Sequence, residues 1–217
     1  DPTRNFVGII RVQVKPKDAV ATPMVSAKQS STVALKADGT VWTWGYNVAG
    51  QLGNNSTADS LIPVQVLGGA TGNQYLTNVV QVAAGGTFDG GNRYYALALR
   101  ENGTVWAWGR NDGGQLGNNN TSNKSLPVQV KGGASGSEYL TDVVQVTAGN
   151  WHSMALKANG TVYAWGWGQY GQLGNGYTTN RDDTDYYSGE KIYSAPVQVL
   201  NGSQASDTGY LKEVVQI

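Results

Sequence analysis

One phrase occurs three times in this chain, and that recurrence limits the available folds more than any single residue does. Gly39-Thr-Val-Trp-Thr-Trp-Gly45 returns as Gly103-Thr-Val-Trp-Ala-Trp-Gly109 and as Gly160-Thr-Val-Tyr-Ala-Trp-Gly166. Each copy is followed by Gly-Gln-Leu-Gly-Asn (50–54, 114–118, 171–175) and then by Pro-Val-Gln-Val (63–66, 127–130, 196–199). Each unit closes on Tyr-Leu-x-x-Val-Val-Gln-Val/Ile (75–82, 139–146, 210–217). Units of roughly 60 residues holding several short strands point to propeller blades. One such unit cannot bury its own apolar face, so neighbouring units must stack. The expected fold is all-β: four-stranded antiparallel blades, about three of them, as a partial propeller or one completed by further repeats or another copy. A binding scaffold follows from this more readily than an enzyme.

Within a unit the strands can be read off the third copy. Val143–Gly149 is a β-branched run ending in small residues, His152–Lys157 a second strand, Thr161–Trp165 a third and Pro196–Val199 a fourth. Ala158-Asn159-Gly160 marks the hairpin between the second and third. Proline at the head of the fourth strand suits an edge, where no ladder donor is lost. In the third strand Trp42 and Trp44, Trp106 and Trp108, and Tyr163 and Trp165 stand two apart and project from one face. Thr43, Ala107 and Ala164 give the other face little bulk, so rings of one blade are expected against the slim face of the next. Leu52, Leu116 and Leu173 of the Gly-Gln-Leu-Gly-Asn phrase are expected to plug the blade edge. That phrase lacks the lysine and the following helix of a phosphate cradle.

Bulk composition narrows the partners. Fifteen basic and fifteen acidic residues cancel, so no electrostatic case exists for nucleic acid or an anionic membrane surface. Without cysteine there are no disulfides, thiol nucleophiles or thiolate metal sites. No apolar run reaches the roughly 18 residues of a membrane span. A charged content of only 14%, with abundant Asn, Gly, Thr, Tyr and Trp, reads as an extracellular or cell-surface protein, bacterial in flavour.

The repeats differ most in their loops, and surfaces free to vary are where partners bind. Repeat two carries a seven-residue insertion after Gly85, and repeat three about twelve extra residues between Asn175 and Pro196. Aromatics in polar loops are the usual interface anchors, which makes Phe88, Tyr94, Trp151, Trp167, Tyr170, Tyr186 and Tyr187 the candidates for partner contact, against the alternative that each packs on the blade rim. Asp182, Asp183 and Asp185 could offer oxygens to calcium, but they lack the glycine and distal glutamate of a calcium loop, so a solvated acidic loop explains them better and no metal site is assigned. His152 is the only histidine and has no recognisable nucleophile partner. A glycosidase pair such as Asp89 with Glu101 has no favourable spacing. No catalytic residue and no cofactor is expected.

Together, Ala148-Gly-Asn-Trp-His-Ser-Met-Ala-Leu-Lys157, Asn159-Gly-Thr-Val-Tyr-Ala-Trp-Gly166, Gly171-Gln-Leu-Gly-Asn175 and Pro196-Val-Gln-Val199 resemble the regulator of chromosome condensation repeat family, over about residues 22–217. The resemblance implies a β-propeller, usually of seven blades, one repeat to each. Members include a nucleotide-exchange factor, a plant light receptor and a secreted bacterial enzyme inhibitor, and what they share is protein binding through loops on one propeller face. Three repeats cannot close a ring. Residues 1–23 are read as a strand, a linker or the degenerate end of a preceding blade, followed by repeats 24–82, 83–146 and 147–217. The expected function is a non-catalytic protein-interaction or assembly module. The alternatives are a homo-oligomer or filament joined through its blade flanks and a carbohydrate-active enzyme.

Overall fold

The computed structural model describes residues 20–28, 30–69, 74–87, 93–133, 138–176, 192–202 and 209–217. Three four-stranded antiparallel sheets follow one another along the chain, and no helix occurs among the described residues. The first blade is β1 (Met24–Lys28), β2 (Ser31–Leu35), β3 (Val41–Gly45) and β4 (Ser60–Gln65). A two-stranded ribbon, β5 (Leu67–Gly68) and β6 (Gln74–Tyr75), leads to the second blade of β7 (Val79–Thr87), β8 (Arg93–Arg100), β9 (Val105–Gly109) and β10 (Lys124–Gln129). The third is β11 (Val143–Ala148), β12 (His152–Lys157), β13 (Val162–Trp167) and β14 (Ile192–Gln198). In each sheet spatial order equals chain order, as hairpin-linked strands require.

The outer strands start earlier than the proline suggested. β4, β10 and β14 begin three to four residues before Pro63, Pro127 and Pro196, and pairing with the third strand shifts register in that stretch. A proline has no N–H to give the ladder, so the edge strand bulges past it instead of stopping.

Blades stack through a tryptophan laid on the preceding blade's loop. The Trp108 indole N–H donates to the carbonyl of Gln51 at 3.0 Å, and that of Trp165 to Gln115 at 2.9 Å. Both rings are wholly buried, as are Leu52 and Leu116 beside them. A methyl group at Gly117 would stand 2.7 Å from the Trp165 indole nitrogen, so only glycine lets the ring lie this close. On the slim face, Thr43 donates its hydroxyl to the Leu52 carbonyl at 2.7 Å, holding the loop on its own sheet. Ring therefore meets loop, and loop meets sheet. Burying an indole removes about 150–250 Å² from water, worth at most about 6 kcal/mol.

Near the inner edge, glutamines clamp the blades. Gln81 donates its amide to the Val146 carbonyl and accepts the Val146 N–H, both at 3.0 Å. Gln145 likewise accepts the N–H of Ile217 at 2.9 Å, so residues 214–217 lie along the third blade. Tyr95 crosses the same boundary, donating to the carbonyl of His152 at 2.6 Å, and burial pushes its phenol far above the ordinary range. Where no blade packs in front among the described residues, the pattern opens: Trp44 is only half-buried and Gly174 is exposed, whereas Trp108 and Gly117 are buried.

Candidate functional site

The loops at the edge where β12 begins and β13 ends carry an aromatic cluster. Gly166, at φ +106°, lets the chain pass so close to residue 151 that the Trp167 N–H donates to the Trp151 carbonyl at 2.9 Å. That backbone contact sets the two indoles side by side, centroids 5.9 Å apart and planes tilted by 49°. Tyr170 stands edge-on to Trp167 at 5.4 Å, in the geometry that aromatic quadrupoles favour. Both indoles are half-buried and Tyr170 is 67% exposed. The second blade abuts the cluster at Gly113, where an added methyl would come within 3.1 Å of Trp151 and 3.6 Å of Trp167. One residue earlier, Asp112 accepts two hydrogen bonds from Arg110, each 2.8 Å. A ridge of two tryptophans and a tyrosine thus adjoins a bidentate arginine pair, in the residue types that anchor protein interfaces.

Loop chemistry explains why the ridge belongs to the third blade. Asn47 and Asn111 are wholly buried and hold their loops closed. Asn111 donates to the carbonyls of Asn120 and Ser122 at 2.9 and 3.1 Å and accepts the Leu116 N–H at 2.9 Å. The third blade has Gly168 at that position. Tyr170 takes the place of buried Ala49 and Gly113, and its ring stands in solvent. His152 lies against Gly149, and burial draws its imidazole below the usual range. It makes no ion pair among the described residues.

The seven partner-contact candidates separate. Trp151, Trp167 and Tyr170 converge in the ridge. Tyr94 does not join them: it is 1% exposed, so the expectation of a loop anchor there is corrected, because β8 starts earlier than the insertion suggested and draws the ring into the core. Phe88, Tyr186 and Tyr187 lie outside the described residues, as do Asp89 and the calcium candidates Asp182, Asp183 and Asp185. Among the described residues no group of three or more metal-ligating side chains occurs. Of the repeat-core residues, Trp108, Trp165, Leu52, Leu116 and Leu173 are buried, while Trp42, Trp44, Trp106 and Tyr163 are half-buried. Sequence reasoning passed over the Arg110–Asp112 pair and the Gly113 floor. The one available signal was that Gly113 and Tyr170 fill the same repeat position.

The profile of the Regulator of chromosome condensation (RCC1) repeat matches residues 38–88, 102–156 and 159–217. The chain is 31% identical over 189 residues to the Ultraviolet-B receptor UVR8 of Arabidopsis thaliana, covering 82% of this chain and 39% of the receptor. It is 34% identical over 154 residues to the human E3 ubiquitin-protein ligase HERC2, covering 70% of this chain and 3% of the ligase. Solved structures of similar fold include human WBSCR16 (TM-score 0.57, 24% identity, 82% of this chain and 38% of that one). Another is Prp20p of Saccharomyces cerevisiae, described with its binding to Gsp1p and histones (TM-score 0.59, 22% identity, 82% and 38%). The chain thus spans well under half the length of these relatives. Ubiquitin ligases work inside the cell, which overturns the extracellular or cell-surface location expected from composition. That composition belongs to the blade itself: Asn closes its loops, Trp packs its boundaries and Gly permits both.

Proposed function

Since the chain belongs to the RCC1 repeat family, we propose that it is a non-catalytic protein-interaction module whose stacked blades present the Trp151–Trp167–Tyr170 ridge to a protein partner. The observation that carries this reading is Tyr170, 67% exposed yet braced edge-on against a half-buried tryptophan. A rigid, amphipathic ring held in water offers contact area with little entropy left to lose on binding. The structures of similar fold include a yeast propeller described as binding Gsp1p and histones, which makes histones a first defined ligand to try.

The test is biolayer interferometry of the chain against core histones and against binders selected from a displayed peptide library. Tyr170→Ala and Trp167→Ala are expected to weaken binding at least tenfold, the loss typical of an interface anchor. Tyr170→Ala should leave the melting temperature unchanged, since its ring is mostly in solvent. Binders that tolerate both variants while the fold is intact would move the interface away from the ridge.

A further inference from the structure

On the opposite edge of the blades, where β8 ends and β9 begins, the boundary between the first two blades holds a cavity of about 300 Å³. Tyr75, Thr77, Arg100 and Trp106 are among the residues that line it, and Arg100 is the only charged side chain of the lining. The Arg100 guanidinium is fixed at one end, its Nε donating to the Thr77 carbonyl at 3.0 Å. The Trp106 indole N–H is buried without an acceptor. In the first blade the equivalent Trp42 donates to the Thr40 hydroxyl at 3.1 Å.

The next boundary shows what is missing here. Lys157 pairs with Val143 across its sheet as Arg100 pairs with Val79, so the two cations occupy one repeat position. Residue 142 stands to Lys157 as residue 78 stands to Arg100. Asp142 and Asn78 share a left-handed backbone, φ +59° and +56°. Their carbonyls accept the N–H of Ala158 and of Glu101 respectively, both at 2.8 Å. Lys157 has its carboxylate, Asp142 at 3.5 Å, and Lys36 of the first blade has Asp38 at 3.4 Å. Arg100 has neither, because Asn78 stands where the carboxylate would be and no ion pair to Arg100 occurs among the described residues. A buried donor without an acceptor and a cation without a counter-charge among the described residues, both lining one cavity, call for an anion with more than one oxygen.

We propose that this cavity is a carboxylate-binding site, taking an aspartate or glutamate side chain of a protein partner at the position the repeat elsewhere fills with its own Asp142. The carboxylate lies on the outer nitrogens of Arg100, with an oxygen left for the Trp106 indole. A volume near the lower limit of ligand pockets suits one acidic side chain better than a cofactor. The site lies across the blade from the aromatic ridge and does not depend on it.

The experiment uses the full chain with nitrogen-15 in its tryptophans, and the Trp106 indole resonance is assigned by its loss in Trp106→Phe. Acetyl-Gly-Glu-Gly-amide is titrated at constant ionic strength beside acetyl-Gly-Gln-Gly-amide. A saturable shift of the Trp106 resonance with the glutamate peptide alone is expected. Arg100→Gln removes the cation and Asn78→Asp supplies an internal competitor without a backbone change, so each should weaken binding at least tenfold. Unmoved indole resonances of Trp108 and Trp165 report that the fold holds. Equal response to the two peptides, or unchanged affinity in both variants, overturns the site. Free glutarate binding more than tenfold tighter than the glutamate peptide overturns the assignment to a protein side chain in favour of a small acid.

Discussion

Asn111 and His152 show how much a single side chain decides in a protein this poor in charge. Asn111 replaces a piece of secondary structure, satisfying three backbone groups of a loop from its centre. His152 is held close to neutral: burial lowers its pKa in the folded chain below the ordinary value, so the unfolded chain takes up a proton first as pH falls. Its contribution is therefore present above the unfolded pKa of about 6.5 and is lost as pH drops from there towards the folded value. Urea midpoints measured at about pH 7.5 and about pH 5.5 should fall more for the native chain than for His152→Gln. Equal falls in the two proteins would mean that other groups carry the acid sensitivity.

Among elements, the informative contact is between inner strands. β7 and β11 run beside each other, and Gln81 joins them with two hydrogen bonds to one residue. Truncation to Gln81→Ala leaves both Val146 groups without their partner, at a cost of about 1–3 kcal/mol. Chemical denaturation should register this as a lower midpoint. A broadened transition as well would show that the clamp couples the second and third blades into one cooperative unit. In the first blade Met24 occupies the clamp position, and the boundary is held instead by the Ala84 N–H donating to Ser26 at 3.0 Å.

For the molecule as a whole, the same ring has different worth according to what stands before it. Trp108→Ala would empty a sealed boundary and cost about 3–5 kcal/mol. Trp44→Ala, at the equivalent place with no blade packed in front among the described residues, should cost less than half as much, as judged by the two urea midpoints. Equal losses would show that something beyond the described residues covers Trp44. On the opposite flank residues 214–217 lie along the third blade.

Sequence alone determined the strand content, the stacking and the pairs of rings. A thrice-written pattern with period-two aromatics and fixed glycines leaves no other way to bury its apolar surface. Tyr163 and Trp165, two residues apart, could be placed on one face before any coordinate existed. Tertiary structure decided which rings are sealed and which are shown. Tyr94 and Tyr170 look alike in polar, glycine-rich surroundings, yet one extends a strand into the core and the other stands on a loop that lacks its asparagine. The carboxylate that Arg100 lacks could not be read from the chain either. It becomes visible only when Asn78 is superposed on Asp142 in space, because the pairing joins residues more than twenty positions apart in one boundary and fifteen in the other. Local pattern fixes what each blade must be; contact between blades fixes what each side chain is free to do.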